Sequence, residues 1–422
     1  MGNAKAQEKP HDRENLSMSW YTHHNTNGGG IRLRTRDDER VSTMTVKQAQ
    51  GIKAVCDRDA LVDALSLITG VVATRTPTPA LQCVRLSGQD GRLTLAATDM
   101  EVSLTLTIDR VDVETDGEVL IPADKLSQIA RSCNDSTLTI FADDDALQIR
   151  SSDSRFKVFG FPISEAPEVL AFEDIQPDFT IEGSVFKVVM ERTTFAAATD
   201  HSRYAINGVN LEVQDGSLRL VATNGHRLAL ATGNCSEQKG THNCIVPTKA
   251  MTLLKRLLQE DGGTVSVKID DGRVIFHVDN GAGCASTLTS NLVEGTFPPF
   301  EDVIPKDLDR KAVVNTQALH GAIRRAHLMT NEESRGVRLV FDGDCLQITS
   351  RAPETGEAEI EVPIESFTGD KLEIAFNPVY IMDALKVISE ESVTIELKRS
   401  EKPGLIRSGN DFVYIIMPVS LQ

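Results

Sequence analysis

No stretch of the 422-residue chain approaches about eighteen consecutive apolar residues, so the sequence predicts no transmembrane helix. The opening Met1–Pro10 is polar and lacks an apolar core, which argues against a secretory signal. Cysteine is sparse and unclustered: seven residues (56, 83, 133, 235, 244, 284 and 345), with no Cys-x-x-Cys pair, point to reduced thiols in a cytoplasm rather than a disulfide framework or structural zinc. The single tryptophan, Trp20, lies near the start. Positive charge is in deficit, with 44 Lys and Arg against 61 Asp and Glu and a net charge of −17. Such a chain is repelled by a polyanion, so a DNA role must use a local basic surface or a grip that is not electrostatic.

Signatures of catalysis are also missing. Gly281-Ala-Gly283 and Gly28-Gly-Gly30 lack the flanking residues of a phosphate-binding loop, and neither a G-x-S-x-G elbow nor an H-E-x-x-H pair occurs. The nine histidines show no metal-ligand spacing. Runs such as Asp143-Asp-Asp145 and Glu390-Glu391 read as solvated turns. No catalytic residue, metal ligand or cofactor is expected, and the chain reads as a non-enzyme. A rival hydrolase or nuclease would need a metal or a nucleophile–base pair.

What is present is a pattern used three times. Residues 1–43 hold seven basic and six acidic residues without apolar periodicity and read as a disordered extension, which leaves about −18 on the body. From about residue 51 a period near 125 emerges. Each repeat opens with an amphipathic helix: Asp59–Ile68, Ser184–Met190, Thr316–Ile323. An alternating strand follows, Gly91–Asp99 matching Gly216–Asn224, with a weaker echo at Asp344–Ser350. A second helix begins after Ile121-Pro, Val246-Pro or Asn377-Pro, the proline being expected just inside the helix start. Two or three strands close each repeat. The expected fold is α+β, three tandem layered domains of two helices on antiparallel sheet. Boundaries are placed at 44–173, 174–301 and 302–422, near the linkers Phe172–Pro177 and Phe297–Phe300.

Some features admit two readings. Lys249 and Arg256 share a helix face, as do His320, Arg324 and His327, while Lys125 and Arg131 lie on the first repeat's second helix. They form either a basic surface or ordinary solvated faces. Asn207-Gly208 and Asn224-Gly225 read as turns supplying positive φ, or as part of a surface where Arg203 and Tyr204 meet phosphate. The end, Tyr414–Leu421, is either a core strand or one wall of an apolar groove.

In order, Arg203-Tyr-x-x-Asn-Gly208, Val221-Ala-Thr-Asn-Gly-His-Arg-Leu-Ala229, Leu292-Val-Glu-Gly-Thr-Phe-Pro298, Val303-Ile-Pro305, Asn331-Glu, Arg335-Gly-Val-Arg-Leu339, Phe376-Asn and Tyr414-Ile-Ile-Met-Pro418 closely resemble the bacterial sliding clamp, the DNA polymerase III beta-subunit family. The resemblance spans about residues 51–421. It implies three DNA-clamp domains per chain and a head-to-tail homodimer closing a ring around double-stranded DNA, with processivity rather than catalysis as its role. A ring retains DNA topologically, so an acidic exterior is no obstacle.

Carried over by position, the DNA-binding candidates are Arg75, Lys125, Arg203, Tyr204, Lys249 and Arg324. The partner-peptide groove becomes Ile206, Thr223, Gly225, His226, Arg227, Leu228, Pro298, Val303, Val379, Ile416, Met417, Pro418 and Val419. The dimer interface becomes Phe156 and Val158 facing Leu328 and Met329. Implied partners are the replicative polymerase alpha subunit, the clamp-loader delta subunit, and other polymerases, ligase and mismatch-repair proteins that carry clamp-binding peptides. Asp124 beside Lys125, Asp302 on the groove rim, Ser420 and the extra Gln422 depart from the family pattern, and residues 1–43 have no counterpart in it.

Overall fold

The 125-residue periodicity becomes three copies of one strand–helix plan. The first repeat runs β1 (Lys53–Asp57), α1 (Arg58–Ile68), β2 (Cys83–Gln89), β3 (Arg92–Thr98), β4 (Val102–Ile108), β5 (Val111–Thr115), β6 (Gly117–Pro122), α2 (Ala123–Ser132), β7 (Thr137–Asp143), β8 (Ala146–Arg150) and β9 (Arg155–Phe159). The second runs β10 (Phe179–Glu182), α3 (Gly183–Glu191), β11 (Gly208–Gln214), β12 (Ser217–Thr223), β13 (Arg227–Asn234), β14 (His242–Pro247), α4 (Thr248–Leu257), β15 (Thr264–Asp270), β16 (Arg273–Asp279) and β17 (Ala285–Asn291). The third runs β18 (Arg310–Asn315), α5 (Thr316–His327), β19 (Val337–Asp342), β20 (Cys345–Ala352), β21 (Gly356–Pro363), β22 (Ser366–Thr368), β23 (Leu372–Phe376), α6 (Pro378–Lys386), β24 (Ser392–Leu397), β25 (Gly404–Ser408) and β26 (Phe412–Ile416). This computed structural model describes residues 51–169, 175–199, 205–258, 262–281, 285–331, 336–353 and 356–420. The expected extension at 1–43 lies outside them.

Local chemistry explains the elements. The alternation in β4, Val-Ser-Leu-Thr-Leu-Thr-Ile, buries every apolar residue and leaves the hydroxyls half-buried. In α1 the predicted stripe Leu61, Leu65 and Ile68 is buried, and the Asp57 carboxylate caps the helix by accepting from the Ala60 N–H at 2.8 Å. Asn315 and Asn377 cap α5 and α6 in the same way. The prolines need a correction. Pro122 and Pro247 stand at the N-caps of α2 and α4, with ψ of 114° and 140°, and only Pro378 lies inside its helix. A fixed φ near −60° suits the last residue of a strand as well as the first turn of a helix, so the cue locates a helix start only to within one residue.

The repeats are fused by sheets that cross between them. An eight-stranded sheet has the order β10-β15-β16-β17-β4-β3-β2-β6, and a nine-stranded sheet runs β14-β11-β12-β13-β26-β25-β24-β18-β22. In both, the last strand of one repeat's first sheet pairs antiparallel with the edge strand of the preceding repeat's second sheet: β17 with β4, and β26 with β13. The remaining sheets, β5-β1-β7-β8-β9 and β21-β20-β19-β23, end on β9 and β21. By position in the repeat, β9 corresponds to β17 and β26, while β21 corresponds to β4 and β13. Helices pack in pairs, α1 with α2, α3 with α4 and α5 with α6, and α1 also meets α4. One apolar core runs through all three repeats, and a smaller second cluster (Val221, Leu228, Leu230, Val413 and Ile415 with Phe297 and Phe300) occupies the other face of the nine-stranded sheet.

Candidate functional site

The second cluster is where the β12–β13 turn, the end of β26 and the linker after β17 converge. The turn is locked by its own side chains. Asn224 Oδ1 accepts from the N–H groups of His226 and Arg227 at 3.0 and 3.1 Å, and Thr223 Oγ1 accepts from Gly225 N and donates to Arg227 O. Gly225 takes φ of 86°, as expected. Gly208 differs from the expectation. It is regular β11 strand, and it is glycine because a Cβ would meet Ile245 and the Val246 carbonyl at 2.7 Å. The Met417 N–H extends the β13–β26 ladder by donating to His226 O at 2.9 Å.

A cavity of about 220 Å³ results. Nine of the groove residues expected from the sequence line it: Ile206, Thr223, Gly225, His226, Arg227, Leu228, Pro298, Val303 and Met417. Pro299, Phe300 and Ile415 join them without having been expected. Ile416 does not, because side chains alternate along β26: Ile415 and Met417 share the groove face, while Ile416 is 1% exposed in the main core. The i, i+2 pattern in Ile415-Ile-Met417 carried that signal. Val379, 40% exposed in the first turn of α6, and the half-buried Pro418 and Val419 are not among the lining residues. Val303 and Met417 remain 44% and 37% exposed. An open, preformed apolar hollow of this kind gains roughly 1.5–3 kcal/mol from each aliphatic or aromatic side chain that fills it.

Two arginines brace the junction between second and third repeats. Arg227 lies between Phe195 and Tyr380, 5.3 and 4.6 Å from the ring centroids, ion-paired to Asp383 and donating to Phe195 O at 2.6 Å. The buried Arg192 grips Glu390 at 2.7 Å and Asp411 at 2.8 Å. Burial opposes the charge on Glu390, yet hydrogen bonding and the Arg192 guanidinium outweigh it and hold the carboxyl below its usual range. Neither brace was read from the sequence, since Asp411 lies 219 residues from Arg192.

The DNA-binding candidates fall on helices and one loop. Arg75 is exposed in the loop after α1, Lys125 in the first turn of α2 beside Asp124, and Arg324 in the last turn of α5 beside Arg325. Lys249, in the first turn of α4, is engaged at the junction of first and second repeats, where it ion-pairs with Asp99 and reaches Val71 O at 3.4 Å. Arg256 likewise donates to Ser66 O at 3.0 Å. Arg203 and Tyr204 lie outside the described residues. Of the interface candidates, Phe156 and Val158 are half-buried on β9, Leu328 is 71% exposed at the C-cap of α5, and Met329 follows it, half-buried.

Among the described residues no group of three His, Cys, Asp or Glu is placed to hold a metal, and all six cysteines are free thiols. Burial pushes the Cys56 and Cys244 thiols up to about 12. No helix among these residues is long and apolar enough to cross a membrane.

The three-fold plan matches known families directly. Models of the N-terminal, central and C-terminal domains of the DNA polymerase III beta subunit match residues 52–170, 180–299 and 301–420. The chain belongs to the DNA polymerase III beta-subunit family. It is 37% identical over 370 residues to the beta sliding clamp of Pseudomonas putida, covering 86% of this chain and 98% of that one. To the Escherichia coli clamp it is 30% identical over 373 residues, covering 88% and 100%. Among solved structures it is similar to the Pseudomonas aeruginosa sliding clamp bound to griselimycin (TM-score 0.79, 34% identity, 88% and 100% covered) and to the Bacillus subtilis sliding clamp (TM-score 0.80, 27% identity, with the same coverage). As a beta subunit it is a sliding clamp of DNA replication, a processivity factor rather than a catalyst, built from three tandem clamp domains. The family works with DNA, the polymerase and the clamp loader.

Proposed function

We propose that two copies of this chain, joined head to tail, form a closed ring that holds duplex DNA by encirclement and docks the polymerase alpha subunit, the clamp-loader delta subunit and repair proteins through the apolar groove. Domains at 44–173, 174–301 and 302–422 build it, and the ring works in the cytoplasm on the nucleoid. The supporting observation is the pair of sheet edges left over when the repeats are aligned. Both internal junctions pair a repeat's last strand with an edge strand of the preceding repeat, and β9 and β21 are the corresponding strands, each with one side unpaired among the described residues. An unpaired edge row of N–H and C=O groups favours addition of another strand.

Charge supports the same pairing. Arg155 and Lys157 project from the exposed face of β9, and Glu357, Glu359 and Glu361 from that of β21. Because the two edges differ, the contact is heterologous and closes when the rotation per chain allows. Phe156 and Val158 with Leu328 and Met329 provide its apolar part. Arg75, Lys125, Arg203, Tyr204, Lys249 and Arg324 are the proposed DNA contacts, too few to pin the duplex, as sliding requires.

Scattering mass tests this. Native protein should show twice the chain's 46.0 kDa. A chain carrying Arg155→Glu and Lys157→Glu should be a monomer, as should one carrying Glu359→Lys and Glu361→Lys. Mixing the two should restore the two-chain particle, since each reversed edge then meets its complement. Monomeric native protein at high concentration would refute the ring.

A further inference from the structure

Behind the linker that walls the apolar groove lies a second, larger hollow of about 990 Å³, which shares Pro298, Pro299 and Phe300 with it. Its chemistry is opposite. Glu212, Glu294, Glu301 and Asp302 line it, and no lining residue is basic. Arg219, stacked 5.1 Å from the Phe300 ring, ion-pairs with Glu212 and, at 3.2 Å, with Glu301. Glu294 and Asp302 are exposed and form no ion pair among the described residues. At the floor Asn210 is 1% exposed: its Nδ2 donates to Glu212 Oε1 at 2.9 Å, while its Oδ1 has no hydrogen-bond partner among the described residues. Only an N–H or O–H donor can satisfy that oxygen, and in a hollow also lined by Glu294 and Asp302 a cationic donor is favoured. Ile245 and Phe297 supply an apolar wall for an alkyl stem.

We infer that this hollow receives a lysine or arginine side chain of the same peptide whose apolar residues fill the groove, so that a basic flank selects among partners. The inference rests on the groove reading. It commits to a peptide because the hollow adjoins the groove across the linker, with Pro298, Pro299 and Phe300 lining both.

Fluorescence anisotropy with labelled peptides tests it. Each peptide carries the same apolar anchors, with Arg or Ala placed in turn at every position within four residues on either side. At one position the Arg peptide should bind about five-fold tighter than its Ala counterpart at low salt, the scale of a single partly exposed ion pair. That gain should vanish in the Glu294→Gln, Asp302→Asn double variant, whose substitutions are on the surface. Equal binding at every position, or a gain that survives the double variant, overturns the inference while leaving the groove intact. Ala peptides that fail to bind, or that bind Met417→Ala as tightly as the native chain, overturn the groove itself.

Discussion

The two internal junctions share one backbone and differ in what that backbone carries. The Asn291 N–H donates to Glu101 O at 2.9 Å where β17 meets β4, and the Met417 N–H donates to His226 O at 2.9 Å where β26 meets β13, with Glu101 and His226 exactly one repeat of 125 residues apart. Opposite each other on the outer face of the first junction stand Ser103 and Thr289, then Thr105 and Thr287. The corresponding pairs at the second are Leu228 with Ile415 and Leu230 with Val413. Four hydroxyl side chains have been exchanged for four aliphatic ones, and only the aliphatic set floors a groove. The braces differ in parallel: a nearly buried arginine with two carboxylates at the second junction, and a Lys249–Asp99 pair whose lysine is 42% exposed at the first. A repeated fold thus supplies equivalent seats, and a few side chains decide which one carries an apolar groove.

The largest expected effect separates the braces. Arg192→Ala should cost about 3 kcal/mol in denaturant unfolding, the low end for a broken buried pair because its carboxylate partners are partly exposed. Lys249→Ala should cost no more than about 1 kcal/mol, and equal losses would erase the distinction. Next, Leu228→Ser with Ile415→Thr rebuilds the second junction in the image of the first. Peptide affinity should fall by at least about 2 kcal/mol while circular dichroism stays native, and unchanged affinity would detach docking from the apolar face. Met417→Ala, at the rim, should cost ~1–2 kcal/mol of peptide binding by titration calorimetry. The smallest effect concerns the turn. Met100 holds φ of 77° where the second repeat has Gly225 at 86°. Met100→Gly should therefore raise stability by about 0.5 kcal/mol, the left-handed strain relieved less the entropy glycine adds to the unfolded chain.

Much of this was legible in the residues. The helices, the strand echoes and the three-fold plan follow from periodicity, because amphipathic patterns and their 125-residue offset are local or self-referential signals. Most of the groove was legible through motif positions, since its turn and linker are contiguous segments. The errors came where direction along an element mattered: Ile416 for Ile415, decided by strand alternation, and Gly208 as a turn, where close packing against Ile245 rather than positive φ requires glycine. Arg192, Asp383 and the engagement of Lys249 by Asp99 left no trace in the sequence, because each joins residues more than 140 positions apart through sheet pairing.

The central claim is that DNA is held by closure rather than by charge. Retention on DNA after loading by a clamp loader tests it directly, comparing nicked circular duplex with the same molecule cut once, in buffer of high ionic strength. The protein should stay on the circle in high salt and be lost from the linear form. Equal retention on both, or loss from the circle as salt rises, would contradict it.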